Sequence, residues 1–396
     1  MQDTLQTSPA TIGSPVSGSL SMEYAGGKAV FREAGKPVFA VNARTEKQLS
    51  AFLHEDAYSA GTAFIRGEFD VEGDIVRAIR WRASQPRSRI REWFLASAAK
   101  LARTCFSLKS RAAGNIQFHY DRSNQFYETF LDSRMVYSCG YFKHPADSLE
   151  EAQTAKLDHI CRKLRVERGD RFLDIGCGWG GLLFHAAEHY GASCTGCTLS
   201  PSQIEFVQEK LEDRRLGNRI QVIQSDFQQV RGRFDKIASV GMFEHVGRRR
   251  LRSYFDHIAG LLTDDGLFLN HAIARPQTVK DGAETLFLQR KVFPGGDLLH
   301  ISDVTRSAEE AGFELLDLEN LRPHYALTCR AWVGRLQDAA EDCMRLVTRD
   351  VYRTWLLYLA ACAASFEEGG TDIHQALFAK RSAHQRRPLT RDYMYC

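Results

Sequence analysis

Phe172-Leu-Asp-Ile-Gly-Cys-Gly-Trp-Gly-Gly181 reads as a buried strand ending in Asp174, then a glycine turn, then the start of a helix. An α/β sheet holds a nucleotide-like ligand in this way. Glycine lets the backbone come close to the ligand, and the helix N-terminus adds a favourable dipole. Which ligand, and for what chemistry, the turn alone does not say.

Outward from the turn, strand-length segments recur at Ser193–Thr198, Ile220–Gln224, Lys236–Val240, Leu267–His271 and Phe313–Leu318. Helical stretches alternate with the first several, which predicts a mostly parallel sheet wrapped on both faces. A helical pair follows at Tyr325–Leu346 and Asp350–Glu367, and then a last strand at Asp372–Lys380. Arriving after helices, that strand is expected as an antiparallel edge. Upstream, Met22 to Ile79 reads as a small α/β unit with strands at Ala29-Val-Phe-Arg and Val38-Phe-Ala-Val and a helix capped by Thr45. A turn at Gly67 lies between Ala63-Phe-Ile-Arg and Phe69-Asp-Val. The expected organisation is a disordered Ser/Thr/Pro/Gly-rich tail over 1–20, a small domain over 21–85, a basic linker helix over 86–114 and a large domain over 115–396.

The 396 residues, 44% of them hydrophobic, can bury one large core and a small one. A net charge of +3 sets up no global field that would select nucleic acid. The charge is uneven, however: Arg77 to Arg111 holds ten Lys or Arg against the single acid Glu92, interleaved with Trp81, Trp93, Phe94 and Phe106. Such a helix suits either an anionic membrane surface, at roughly 1 kcal/mol per well-placed basic residue, or a solvated linker. The ten cysteines are scattered in apolar segments, as in a reduced cytoplasmic protein. Cys194 and Cys197 form one CxxC without a second pair, so they read as core residues and no metal site is expected. No basic start followed by an apolar run marks a signal peptide, and Trp355 to Phe366 is too short to span a bilayer.

Gly176-Cys-Gly178-Trp-Gly-Gly181 satisfies G-x-G-x-x-G, but a dinucleotide site needs an acid about twenty residues on to grip the ribose. That place reads Cys194-Thr-Gly-Cys-Thr-Leu-Ser200, with no acid. A nicotinamide enzyme is disfavoured. Asp174 instead fits a ligand with an amino-acid end, and Asp226-Phe227 offers a carboxylate and an aromatic face for adenine. These features suit S-adenosylmethionine.

His119-Tyr-Asp121, Tyr137-Ser-Cys-Gly-Tyr-Phe142, Leu173–Gly181, Thr198-Leu-Ser-Pro-Ser-Gln203, Gly241-Met-Phe-Glu-His-Val-Gly247, His271-Ala-Ile273 and Pro388-Leu-Thr-Arg-Asp-Tyr-Met394 follow in this order. The set resembles the cyclopropane-fatty-acid-phospholipid synthases and their mycolic-acid relatives over residues 115 to 396. The resemblance implies a Rossmann-like class I methyltransferase sheet with extra helices, plus a small N-terminal α/β lipid-associated domain. It implies cofactor contacts from Tyr137 and Ser138, from Phe172 to Gly180 (Asp174, Gly176, Cys177, Gly178 and Gly180 among them), from Thr198, Leu199 and Gln203, and from Asp226 and Phe227. At the last place the mycolic-acid branch has Trp-Glu where this chain has Asp-Phe.

The implied reaction adds a methylene from S-adenosylmethionine across the cis double bond of an unsaturated phospholipid acyl chain. No residue activates an alkene by deprotonation, so catalysis begins with positioning in a dry channel. The alkene takes the sulfonium methyl, and a weak base then removes a proton from that methyl as the ring closes. The resemblance supplies bound bicarbonate as this base. Glu244 would accept from it, His271, the Ile273 N–H and Tyr325 would donate, and Cys139 would line the site. Cys362 stands where family members carry a cysteine proposed as catalytic, although a thiol nucleophile has no step in this route. Tyr137, Tyr141, Phe142, Phe243, Trp355 and Tyr358 are candidates for stabilising a chain cation, with ordinary core packing the other role for the last two. The resemblance further implies a homodimer, a cytoplasmic location peripheral to the inner membrane, and no nucleic-acid partner. A methyl- or methylene-branched product and a non-catalytic lipid-binding module stay as alternatives.

Overall fold

The computed structural model describes residues 20–24, 27–31, 38–85, 123–214, 216–279, 282–285, 287, 298–383 and 388–395. The expected tail up to residue 19, the basic segment 86–114 and the His119-Tyr-Asp121 motif lie outside the described residues.

The N-terminal unit runs β1 (Leu20–Tyr24), β2 (Gly27–Phe31), β3 (Phe39–Ala43), α1 (Glu46–His54), α2 (Ala57–Ile65), β4 (Phe69–Gly73) and α3 (Ile75–Ser84). Its sheet has the order β2-β1-β3-β4, with β1 parallel to β3 and the other pairs antiparallel. Thr45, Asp56 and Asp74 cap the three helices by accepting from backbone N–H groups, the expected cap among them. Ala63-Phe-Ile-Arg closes α2, and Gly67, at φ 71°, turns the chain into β4.

The large domain continues α4 (Asn124–Glu128), α5 (Leu149–Lys163), β5 (Arg171–Ile175), α6 (Gly181–His185), β6 (Ser193–Thr198), α7 (Pro201–Arg214), β7 (Ile220–Gln224), β8 (Phe234–Val240), α8 (Leu251–Leu261) and β9 (Leu262–Ala274). It ends α9 (Ile301–Glu310), β10 (Phe313–Asn320), α10 (Arg322–Asp338), α11 (Ala340–Leu346), α12 (Arg349–Glu368) and β11 (Asp372–Lys380). The sheet order is β10-β11-β9-β8-β5-β6-β7. The pairs from β9 through β7 are parallel, as expected.

One strand departs from expectation. β11 is antiparallel to both neighbours, and it lies inside the sheet between β9 and β10 rather than at its edge. Its sequence carries the reason: Gln375 to Ala379 are buried without alternation, which requires cover on both faces and a partner on each side. β10 takes the edge instead, with a register shift at Leu315/Asp317 and half-exposed Leu315 and Leu318.

Apolar clusters fill both faces of the sheet, with Cys194 in one and Cys197 in the other, both free thiols. A third cluster forms a helical roof from α4, α10 and α12 and runs on into the N-terminal unit. Arg353 of α12 crosses that junction. Its guanidinium donates to Phe64 O (2.6 Å) and Phe69 O (2.7 Å), pairs with Asp70 and lies over the Phe64 ring. Arg80 and Arg330 add pairs to Glu367, and Arg330 another to Asp74 (3.0 Å). No described helix is long and apolar enough to cross a membrane.

Candidate active site

The glycine turn closes because its glycines take backbone angles that side chains resist. Gly176, Gly178 and Gly180 have φ of 78°, 55° and 82°. The Gly176 and Cys177 N–H groups both donate to Cys197 O, tying the turn to the end of β6. A Cβ at Gly178 would meet nothing within 4 Å, so the backbone there borders open space. That space is a cavity at the carboxyl ends of β5, β6, β7 and β8. Its wall includes Tyr137, Ser138, Asp174, Gly176, Cys177, Gly178, Thr198, Leu199, Gln203, Asp226 and Phe227, as expected. Gly180 is not part of that lining, and a Cβ there would meet Val207 and Phe184 at 3.0 and 3.1 Å. Its part is to let the helix pack against α7.

Polar groups on the wall are held in place. Thr198 Oγ1 donates to Gln203 Oε1 at 2.6 Å. Asp226 accepts from Gln228 N at 2.9 Å and so sets the short turn that carries Phe227. The Phe227 ring meets Tyr254 edge-on at 5.4 Å. Asp174 is 3% exposed, and its Oδ1 has no hydrogen-bond partner in the fold. Burial pushes its carboxyl up to about 7, against the pull of the Lys156 charge.

A second constellation is knitted together by backbone. Leu321 N donates to Ile373 O (2.9 Å), the residue opposite Ile273 across the β9–β11 pair, and Tyr325 N to Leu321 O (3.0 Å), while Cys139 Sγ lies 3.9 Å from Leu321 O. Gly241 N donates to His271 O (2.9 Å), which anchors the turn that carries Glu244. The Ile273 N–H donates to Glu244 Oε1 at 2.7 Å. In this structure the N–H expected to serve an anion orients the carboxylate. Glu244 Oε2 is buried without a partner, and burial pushes the carboxyl up to about 6. His271 is fully buried and held neutral by desolvation. Gln375 Nε2 lies 3.2 Å from its Nδ1 and donates there, so the ring's proton sits on Nε2, which has no partner. The Tyr325 ring lies tilted against Phe366 (4.5 Å), and burial pushes its phenol well above the ordinary range.

The cysteines and aromatics sort by surroundings. Burial raises the Cys139 thiol, which stays protonated. Cys362 is pushed up to about 12, with only the Tyr358 hydroxyl pulling it down, so nothing here makes a thiolate. Phe243 packs against Tyr254 and Phe255 beneath the sheet, and Tyr141 stacks between His159 and His324 at 4.5 and 4.7 Å. Neither ring lines the cavity. Tyr137 does, and it belongs to an aromatic box with Tyr127, Phe130, Trp332 and Trp355.

The profile of the mycolic acid cyclopropane synthetases matches residues 107–376. The chain belongs to this family. A probable fatty acid methyltransferase of Pseudomonas putida is 38% identical over 367 residues, covering 91% of this chain and 92% of that one. The solved mycolic acid cyclopropane synthase CmaA1, complexed with SAH and CTAB, superposes with a TM-score of 0.65 at 34% identity, over 68% of this chain and 98% of that one. Coclaurine N-methyltransferase, at 19% identity and a TM-score of 0.62 over 85% of this chain and 99% of that one, shares the fold. This cyclopropane synthetase relative is thus a class I, S-adenosylmethionine-dependent methyltransferase. Its open glycine cradle and the unpartnered Asp174 oxygen fit that cofactor.

Residues not picked out from the sequence also build the site. Gln153 Nε2 donates to Ser138 O at 2.7 Å and fixes the 136–138 segment of the wall. Met242, His245, Arg250 and Lys156 line the cavity, and Gln375 sets the His271 ring. Gln153, Lys156, His159 and Lys163 recur at helical spacing on the buried face of α5, a polar stripe legible in the sequence.

Proposed function

We propose that this methyltransferase adds a methylene to the cis double bond of an unsaturated phospholipid acyl chain, forming a cyclopropane ring with bicarbonate as base. One observation carries it: Glu244 Oε2 and His271 Nε2 are buried and unpartnered, with Glu244 held by the N–H of Ile273 two residues beyond His271 on β9. An unpartnered buried acceptor and an unpartnered buried donor together suit a small protonated anion.

S-Adenosylmethionine supplies an electrophilic methyl group when bound. Tyr137 and the aromatic box exclude water from the place where a chain cation would form, and ring faces stabilise it. The alkene π pair forms the new C–C bond as the C–S bond breaks. Loss of one proton from the transferred methyl then closes the ring, for a net gain of CH₂. Glu244 would accept the O–H of a bound bicarbonate, and His271 Nε2–H and Tyr325 would donate to it. Bicarbonate supplies a base too weak to trap the cation. Glu244, ionised above about pH 6, draws the collected proton onward.

The acyl chain implies contact with a lipid surface. On α11, Met344 and Leu346 are exposed beside Arg345, and exposed Arg349 opens the next helix, which suits peripheral binding to anionic phospholipid. A branched product is the second reading, favoured by the name of the Pseudomonas putida relative.

Incubation with S-adenosylmethionine and vesicles of cis-monounsaturated phospholipid tests both. A gain of one CH₂ with upfield ring protons and lost vinyl signals is expected. Retained vinyl signals would give the branched product, and no mass gain would exclude that lipid.

A further inference from the structure

Helix α5 turns Gln153, Lys156, His159 and Lys163 into the protein. Three of the four are engaged: Gln153 holds Ser138 O, though its Oε1 has no partner, His159 lies 2.7 Å from Glu319 Oε2, and Lys163 pairs with Glu319 (2.6 Å) and Asp317 (3.1 Å). Lys156 differs. It is 2% exposed, and its Nζ donates to one neutral acceptor, Ser138 Oγ, at 3.0 Å. An ammonium has three donors, so this one keeps unspent N–H groups at the edge of the cofactor cavity.

Asp174 borders the same cavity with its Oδ1 unpartnered. The charges of Asp132 and, less strongly, Asp174 act on Lys156, but neither forms an ion pair with it among the described residues. Two opposite charges buried short of contact are each costly. The cost is offset when a ligand brings a partner for both. The α-carbon of an amino acid carries that complement, a carboxylate and an ammonium on one atom.

We propose that Lys156 is a cofactor-binding residue, its ammonium seated by Ser138 Oγ and donating to the α-carboxylate of S-adenosylmethionine while Asp174 accepts from the α-ammonium. Ser138 then acts mainly by positioning Lys156. The pair also selects ligands with an intact amino-acid end over those that share only the adenosine. Burial lowers Lys156 to about 8 and raises Asp174 to about 7. A bound zwitterion would reverse both shifts. The Lys156 charge also acts on Cys139 and His271, so service to the anion constellation is the competing role.

Calorimetry on the full chain, without lipid and in bicarbonate-free buffer, separates the two. The ligands are S-adenosylhomocysteine and its decarboxylated analogue, in which the amine remains. In the wild type, loss of the carboxylate should weaken binding about 30-fold or more, as for a truncated buried charge pair. Lys156→Met should weaken S-adenosylhomocysteine binding to a similar extent and leave the analogue unchanged. Lys156→Arg should restore most of the difference. Lys156→Gln, which keeps a donor for Ser138, serves if the Met variant does not fold. Equal weakening of both ligands, or unchanged S-adenosylhomocysteine binding in the variants, overturns the proposal. Neither ligand carries a transferable methyl, so the outcome stands whatever happens to the alkene reading.

Discussion

The cofactor cavity and the anion constellation lie either side of Tyr137 and are built in opposite ways. The cavity is mostly backbone: three left-handed glycines, the ends of four parallel strands and two short turns. Any class I sheet makes such a place, and its shape says only what is bound. The constellation is side chains, drawn from the turn after β8, from β9, β11 and α10 and from the segment before α5. Nothing in the sheet requires an unpartnered Glu244 oxygen or a neutral buried His271. In the proposed reaction these side chains act on the methyl group, so chemistry and cofactor binding should separate under mutation.

Glu244→Gln should break the comparison hardest. It keeps shape and a hydrogen bond but removes the charge, so turnover should fall by about 10²–10⁴-fold, with S-adenosylhomocysteine affinity unchanged by calorimetry. Loss of both together would mean that the two regions are one. Next comes pH. The Glu244 carboxyl sits near 6 because burial disfavours its charge. Its ionised form is the working one, so turnover at saturating cofactor should rise with pH and level off above 6. Below that it should drop by about tenfold per unit, and a profile flat from pH 5 to 8 would remove Glu244 from the proton path. Gly178→Ala acts on the other region. A left-handed alanine costs about 1–2 kcal/mol, and its methyl enters the cavity, so KM for S-adenosylmethionine should rise about tenfold with kcat little changed. Smallest is Cys362→Ser, where rates within about twofold are expected because the thiol is protonated and touches no base. A large loss there would restore a catalytic cysteine.

The two regions were also unequally legible. The turn after β5 announces itself, since strand, glycines and helix are contiguous and each glycine has a local backbone reason. The parallel strand rhythm was as plain. β11 was misplaced because its position depends on partners distant in sequence, and only its unbroken burial pattern hinted at the interior. Glu244, His271 and Tyr325 each look ordinary alone, and motif resemblance rather than spacing brought them together. What the sequence did not suggest is that the Ile273 N–H orients Glu244. Lys156 was missed because lysine on a helix usually marks a wet face, and three more polar residues on the same stripe hid the buried one.

Arg353 bears on how the enzyme can be cut apart. Its guanidinium takes its acceptors from Phe64, Phe69 and Asp70 of the small unit, and on the same helix, five and nine residues on, stand Tyr358 and Cys362. Removing the unit would strand a cation in an apolar seam of the core cluster that α12 shares with the unit. A truncated chain would therefore report on a damaged helical roof as well as on the missing unit.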